Sequence, residues 1–140
     1  SPLDVVNQSG LNKIVNENII AEGNYLEGKQ EGEWKFRIGE YVAEGKFIEG
    51  KEDGVWKQHY LEGGLAFEGE YVEGVETGTH KYFWPNGRIH EVRNYRLGLP
   101  DGEWKMFDEN GAAIVRITYE NGIEKKIDEE KVPEGESPGQ

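Results

Sequence analysis

The chain has 140 residues, enough for one domain, with 35% apolar residues, 31% charged residues and a net charge of −12. That balance is too lean for a conventional thick core. The negative charge argues against a nucleic-acid backbone or an anionic lipid surface as partner and suits a basic protein, while the absence of cysteine removes disulfides, thiol catalysis and Cys-ligated zinc.

In chain order, residues 1–10 read as an irregular lead-in. Asn16-Glu17 then sits where a turn is needed before a strand in which Ile19, Ala21, Gly23 and Tyr25 share one face, against Ile20, Glu22 and Asn24. Such a period of two is the pattern of a half-buried strand. A second strand, Glu33–Arg37, places Trp34 and Phe36 together with Lys35 opposed. The pair of patterns recurs. Tyr41, Ala43, Gly45 and Phe47 oppose Val42, Glu44 and Lys46, and are followed by Val55–Tyr60 with Trp56 and Tyr60 on one side. Leu65, Phe67, Gly69 and Tyr71 oppose Ala66, Glu68 and Glu70, and are followed by Thr79–Trp84. Arg88–Tyr95 breaks the pattern, because Glu91 and Arg93 fall on the inner parity; an ion pair or a local bulge would accommodate them. Glu103–Phe107 and the strand carrying Ala113, Val115, Ile117 and Tyr119 complete the series. Pro85-Asn86-Gly87 and Glu109-Asn110-Gly111 are strong turn signals. No helical period occurs, and residues 128–140 read as an acidic, solvated tail.

The spacing behind these elements is a 24-residue repeat. Tyr71, Tyr95 and Tyr119 are 24 apart, Phe47 precedes Tyr71 by 24, and Tyr25 precedes Phe47 by 22 because the first unit is two residues short. Each of these aromatics is followed by a glycine three residues on, and in four copies by a further glycine and then Trp34, Trp56, His80 or Trp104. Units of this size bury their apolar faces only against neighbours. The expected fold is all-β: an elongated single-layer antiparallel sheet of tandem β-hairpins, with about ten short strands. Its repeat array spans 11–127, as four full units with partial ends. Glycines beneath the rings would let them lie flat on a neighbouring backbone.

The pattern resembles the short bacterial variant of MORN repeats. The stretches that carry the resemblance are Gly45-Lys46-Phe47-Ile48-Glu49-Gly50-Lys51-Glu52-Asp53-Gly54-Val55-Trp56 and Tyr95 through Gly111. The resemblance implies protein–protein contact or scaffolding without a common catalytic residue, in antitoxin-like, secreted or lipoprotein-like bacterial settings. Lipid binding has been proposed for related arrays, but here the basic residues form no cluster. His80 in the tryptophan slot and the short first unit depart from the family pattern.

Candidate sites are few. His80 reads as a structural replacement for tryptophan, and His59 and His90 are not at metal-ligand spacing. Glu22, Glu44 and Glu68 recur at one offset and Glu27, Glu49 and Glu73 at another, which is a solvated ladder rather than an acid/base pair or an EF-hand. Gly28-Lys29-Gln30-Glu31-Gly32 and its copies lack the ending and the helix of a phosphate loop, so they are turns. Tyr25, Trp34, Phe47, Trp56, Tyr71, His80, Tyr95, Trp104 and Tyr119 are the structural repeat residues. Tyr82, Phe83 and Trp84 exceed the repeat and form the candidate contact hot spot, with Glu22, Glu44 and Glu68 as steering and rim contacts. The expected function is therefore a non-enzymatic interaction or scaffold module with a protein partner, and no cofactor, metal, nucleic acid or direct membrane insertion. A subunit of a cell-envelope complex and an antitoxin-like binder are its two forms. A glycan- or peptidoglycan-binding module is the alternative, since rings on a β surface stack on sugars. A start at Ser1-Pro2 suits a chain matured by leader removal or a piece of a longer one, and an extracytoplasmic place is favoured over the cytoplasm.

Overall fold

The computed structural model describes residues 10–15 and 19–129. The strands are β1 (Gly10–Val15), β2 (Ile19–Leu26), β3 (Lys29–Ile38), β4 (Tyr41–Ile48), β5 (Lys51–Tyr60) and β6 (Leu65–Val72). They continue as β7 (Val75–Phe83), β8 (Ile89–Arg96), β9 (Leu99–Pro100), β10 (Gly102–Phe107), β11 (Ala113–Glu120) and β12 (Ile123–Glu129). Apart from β9 and β10, which both pair with β8, consecutive strands pair antiparallel in a single open sheet. β9 and β10 are two pieces of one return strand that pairs with β8, interrupted where the Asp101 N–H donates to the Asn94 carbonyl at 2.9 Å. The expected single-layer sheet of tandem hairpins is thus present. Gly10 belongs to β1, and Asp128 and Glu129, read from the sequence as tail, belong to β12. The rest of the lead-in, the tail from 130 and the Asn16-Glu17 turn lie outside the described residues.

Two kinds of turn hold the hairpins. On one edge the turns have two residues, Glu27-Gly28, Glu49-Gly50, Glu73-Gly74, Leu97-Gly98 and Asn121-Gly122, all with positive φ. This is the hairpin turn whose twist matches that of the strands. Each later tip is also tied to the hairpin before it. Gly50 N–H donates to the Gln30 carbonyl at 2.9 Å, Gly74 to Glu52 at 2.8 Å, Gly98 to Glu76 at 3.0 Å and Gly122 to Pro100 at 2.7 Å. On the other edge the loops around residues 61–64, 85–88 and 109–112 are longer, closed by pairs such as Tyr60 N–H to Gly64 O at 3.0 Å and Gly63 N–H to Tyr60 O at 2.8 Å. Each is followed by a register shift that leaves Ala66, His90 or Ile114 as an extra residue. The first unit has only Gly39-Glu40 between Ile38 and Tyr41 and no such shift, which accounts for its shortfall.

The bulge at Ala66 corrects the sequence reading. Alternation placed Ala66 on the solvent side, opposite Phe67; the extra residue turns it inward, and the two are 6% and 5% exposed.

The core is a pile of rings on one face of the sheet. Trp34 lies across Gly23 of the preceding strand, Trp56 across Gly45, and His80 across Gly69. A Cβ on any of these glycines would intrude into the ring above it. The ring nitrogens continue the pattern. Nε1–H of Trp34, Trp56 and Trp104 donates to the carbonyl of Asn24, Lys46 and Asn94 at 2.9, 3.1 and 2.8 Å. His80 makes the same bond through Nε2 to Glu70 O at 2.8 Å. A carbonyl only accepts, so that nitrogen carries the proton. Edge-to-face contacts run Tyr25–Trp34–Phe47–Trp56, with centroids 5.2, 6.1 and 4.9 Å apart. A second run links Tyr71, His80, Tyr95, Trp104 and Tyr119 at 5.2, 4.8, 5.3 and 5.0 Å.

Arg93 occupies the slot that glycine fills in the earlier units, opposite His80. Its guanidinium sits 4.8 Å from the Tyr82 ring centroid and 5.0 Å from that of Trp104, and pairs with Glu91. The anomalous inner-face charges are therefore an ion pair packed between rings, and the strand also carries the bulge at His90.

Two substitutions test these devices. Gly45→Ala is expected to cost about 3 kcal/mol or to prevent folding, because Trp56 has nowhere to go. Leu97→Asn, at a left-handed position 81% exposed, is expected to gain about 1 kcal/mol. Urea unfolding of each variant against the parent chain measures both.

Candidate functional site

The sheet has two faces of different chemistry. Across the outer face, register pairs Lys13 with Glu22, Glu22 with Lys35, Lys35 with Glu44, Glu44 with Lys57, Lys57 with Glu68, and Glu68 with Lys81. The candidate steering residues Glu22, Glu44 and Glu68 thus alternate with lysines across the strands. Opposite charges facing one another on a sheet are mildly stabilising. The run is close to neutral locally, and the alternation ends at Val92, which faces Lys81.

Tyr82, Phe83 and Trp84 do not form one patch. Tyr82 lies on the aromatic face, 4.9 Å from Phe67 and under Arg93. Phe83 takes the other parity, and its carbonyl accepts the Tyr60 hydroxyl at 2.6 Å. Trp84 turns to the loop edge, where it stacks on His90 at 3.8 Å and donates its indole N–H to Phe107 O at 3.1 Å. Glu22, Glu44 and Glu68 share the outer face and are not brought beside Tyr82.

At the loop edge the structure assembles a cleft that the sequence did not announce. It has a volume of about 670 Å³ and is lined by Glu40, Tyr41, Tyr60, Leu61, Glu62, Gly63, Trp84, Pro85 and His90. Three successive loops supply these residues. Tyr41 and Tyr60 rings lie 5.6 Å apart. Tyr60 and Trp84 are 24 apart in sequence, and each reaches a carbonyl of the next unit, Phe83 and Phe107. That equivalence was the available signal for the site. Leu61 and Pro85 are likewise 24 apart, whereas no spacing relates Glu40 to Pro85.

A second, smaller concavity of about 270 Å³ opens on the aromatic face. Phe36, Phe47, Trp56, Phe67 and Tyr71 line it together with the polar side chains of Glu52 and Gln58.

Three phenols are held above their ordinary ionisation range. Burial pushes Tyr71 up to about 12, helped by Glu76. Burial also raises Tyr82, against the opposing pull of Arg93. Tyr60 is raised by burial and then by Tyr41. For Arg93, burial alone would lower the pKa, but hydrogen bonds to Glu91 and Tyr95 more than reverse this and it stays charged. His59 faces Val42 and Leu65 across its neighbouring strands. Among the described residues, no group of three or more His, Cys, Asp and Glu is placed to hold a metal ion, and no helix is long and apolar enough to cross a membrane.

No protein-family model matches the chain, and no curated protein matches it.

The raised Tyr71 pKa makes stability depend on alkaline pH in one direction. Below pH 10 the phenol is neutral folded or unfolded and contributes no slope; between about 10 and 12 the unfolded chain ionises first, so stability falls as pH rises. Urea midpoints measured from pH 8 to 12 are expected to stay level and then drop. In Tyr71→Phe the drop is expected to be shallower.

Proposed function

We propose that the chain is a non-enzymatic protein-binding module of MORN-repeat type whose partner is basic. The observation that carries this reading is the loop-edge cleft, where the rings of Tyr41, Tyr60 and Trp84 are set beside the carboxylates of Glu40 and Glu62. Aromatic residues in a concave, partly open site are the usual anchors of protein contacts. The chain's net charge of −12 steers a basic partner toward it. The rigid backing comes from the sheet, since Tyr60 and Trp84 are each fixed by a hydrogen bond to the next unit. The ionisable groups elsewhere serve the repeat itself, as the Glu/Lys alternation and the His80 bond illustrate. Neutralising a basic partner, as an antitoxin-like binder does, and joining a cell-envelope complex are two forms of this one function, which the partner's identity separates.

The test is affinity capture from lysate and envelope fractions with three baits: the parent chain, Phe83→Ala/Trp84→Ala, and Glu40→Lys/Glu62→Lys. A stoichiometric basic protein retained by the parent and lost by both variants, with melting confirming that the variants fold, is the expected result. A partner retained equally by all three removes the cleft from the proposal.

A second reading, glycan binding, is favoured by the concavity on the aromatic face. Rings flanked by Glu52 and Gln58 offer a stacking platform with polar groups at its rim. Saturation-transfer NMR against a glycan panel, including peptidoglycan fragments, decides it: no transfer to any sugar removes it.

A further inference from the structure

We infer that the loop-edge cleft takes a basic side chain, arginine in preference to lysine, presented by the partner. This rests on the protein-binding reading above and names what its site recognises. Four of the backbone N–H groups at the cleft are already engaged: Tyr60 with Gly64 O at 3.0 Å, Leu61 with Glu40 O at 2.8 Å, Gly63 with Tyr60 O at 2.8 Å and Trp84 with Arg88 O at 2.7 Å. Pro85 has no N–H to offer. The Tyr60 hydroxyl and the Trp84 indole N–H are directed away to Phe83 O and Phe107 O. Among the described residues, no lysine or arginine lines the cleft.

Besides the His90 imidazole, which is stacked on one face of Trp84, and the Tyr41 hydroxyl, what remains for a ligand is weighted to acceptors and π faces: the carboxylates of Glu40 and Glu62, the rings of Tyr41 and Tyr60, and the other face of Trp84. A carboxylate or phosphate ligand would find few donors there and two like charges. A cation with several N–H groups on an apolar stem fits both features, since rings attract cations over their faces. The guanidinium is preferred because it is planar, stacks on rings and presents its donors in a fork that matches a carboxylate.

The experiment uses the full ¹⁵N-labelled chain titrated with N-acetyl-arginine methylamide, N-acetyl-lysine methylamide, and the neutral isostere N-acetyl-citrulline methylamide. Saturable shifts of the Trp84 indole N–H and the Leu61 amide are expected with arginine, weaker ones with lysine and none with citrulline. Glu40→Gln/Glu62→Gln, which alters only exposed side chains, is expected to lower the arginine affinity about tenfold. Equal shifts from citrulline, shifts only from a chitobiose control, or an affinity unchanged in the double variant would each overturn the assignment. The captured partner separates the two levels. If Glu40→Gln/Glu62→Gln keeps a partner that Trp84→Ala loses, the cation assignment falls and the binding module stands. If the arginine probe binds as expected but no variant loses the partner, the cleft binds the cation alone and its presentation by that partner is overturned.

Discussion

A tryptophan ring laid flat on the backbone of a glycine in the preceding strand is the contact on which this sheet depends. A single layer has no second sheet to bury its apolar face, so the rings must cover the backbone themselves. Trp34 on Gly23 and Trp56 on Gly45 do this at an 11-residue offset, and the ring nitrogen then reaches a carbonyl one residue beyond the glycine. The contact thereby removes apolar area from water and satisfies a donor that would otherwise be buried alone. It also fixes register, because a slip of one residue would set the ring against a Cβ and turn the strand's other face inward. His80 is informative here. It is only 1% exposed, and by donating from Nε2 it makes the indole's bond with a smaller ring.

The array is not uniform along its length. The buried cluster runs through Ala21, Tyr25, Trp34, Phe47, Trp56 and Phe67. Beyond it the glycine slot is filled by Arg93, then by Ile117 opposite Trp104, and Trp104 and Tyr119 are only half-buried. With a side chain in the slot, Trp104 keeps its indole N–H bond to Asn94 O at 2.8 Å but is left half-buried. The fourth unit replaces that packing with a guanidinium between two rings and its partner Glu91. The early units are held by close packing, whereas the later ones rely more on charge and polar contacts.

Most of the fold was legible because one period controls it. The strands, the aromatic slots and the substitution of His80 follow from positions 24 apart, and the structure adds the reason for each. What escaped depends on partners that spacing does not specify. Ala66 was assigned to solvent because alternation assumes one residue opposite one residue, and a bulge breaks that count. Glu27, Glu49 and Glu73 recur as regularly as Glu22, Glu44 and Glu68, yet the first set occupies turns with φ near 50° and the second lies within strands. Recurrence alone does not separate a turn from a face. The loop-edge cleft was least visible, since Tyr41, Tyr60 and Trp84 meet only once the loops of three successive hairpins line up.

The alternation of glutamate on outgoing strands with lysine on returning ones has a consequence for how such a chain can change length. Every outgoing strand from β2 to β6 presents a carboxylate to lysines on both sides, and Lys35 and Lys57 each stand between two carboxylates. In this part of the sheet, any hairpin therefore offers its neighbour the same electrical edge. A whole unit copied or excised would meet matching charge, matching ring slots and matching turn carbonyls at the new junction. Growth by duplication needs no compensating change, whereas the loss of a single residue would put all three out of step.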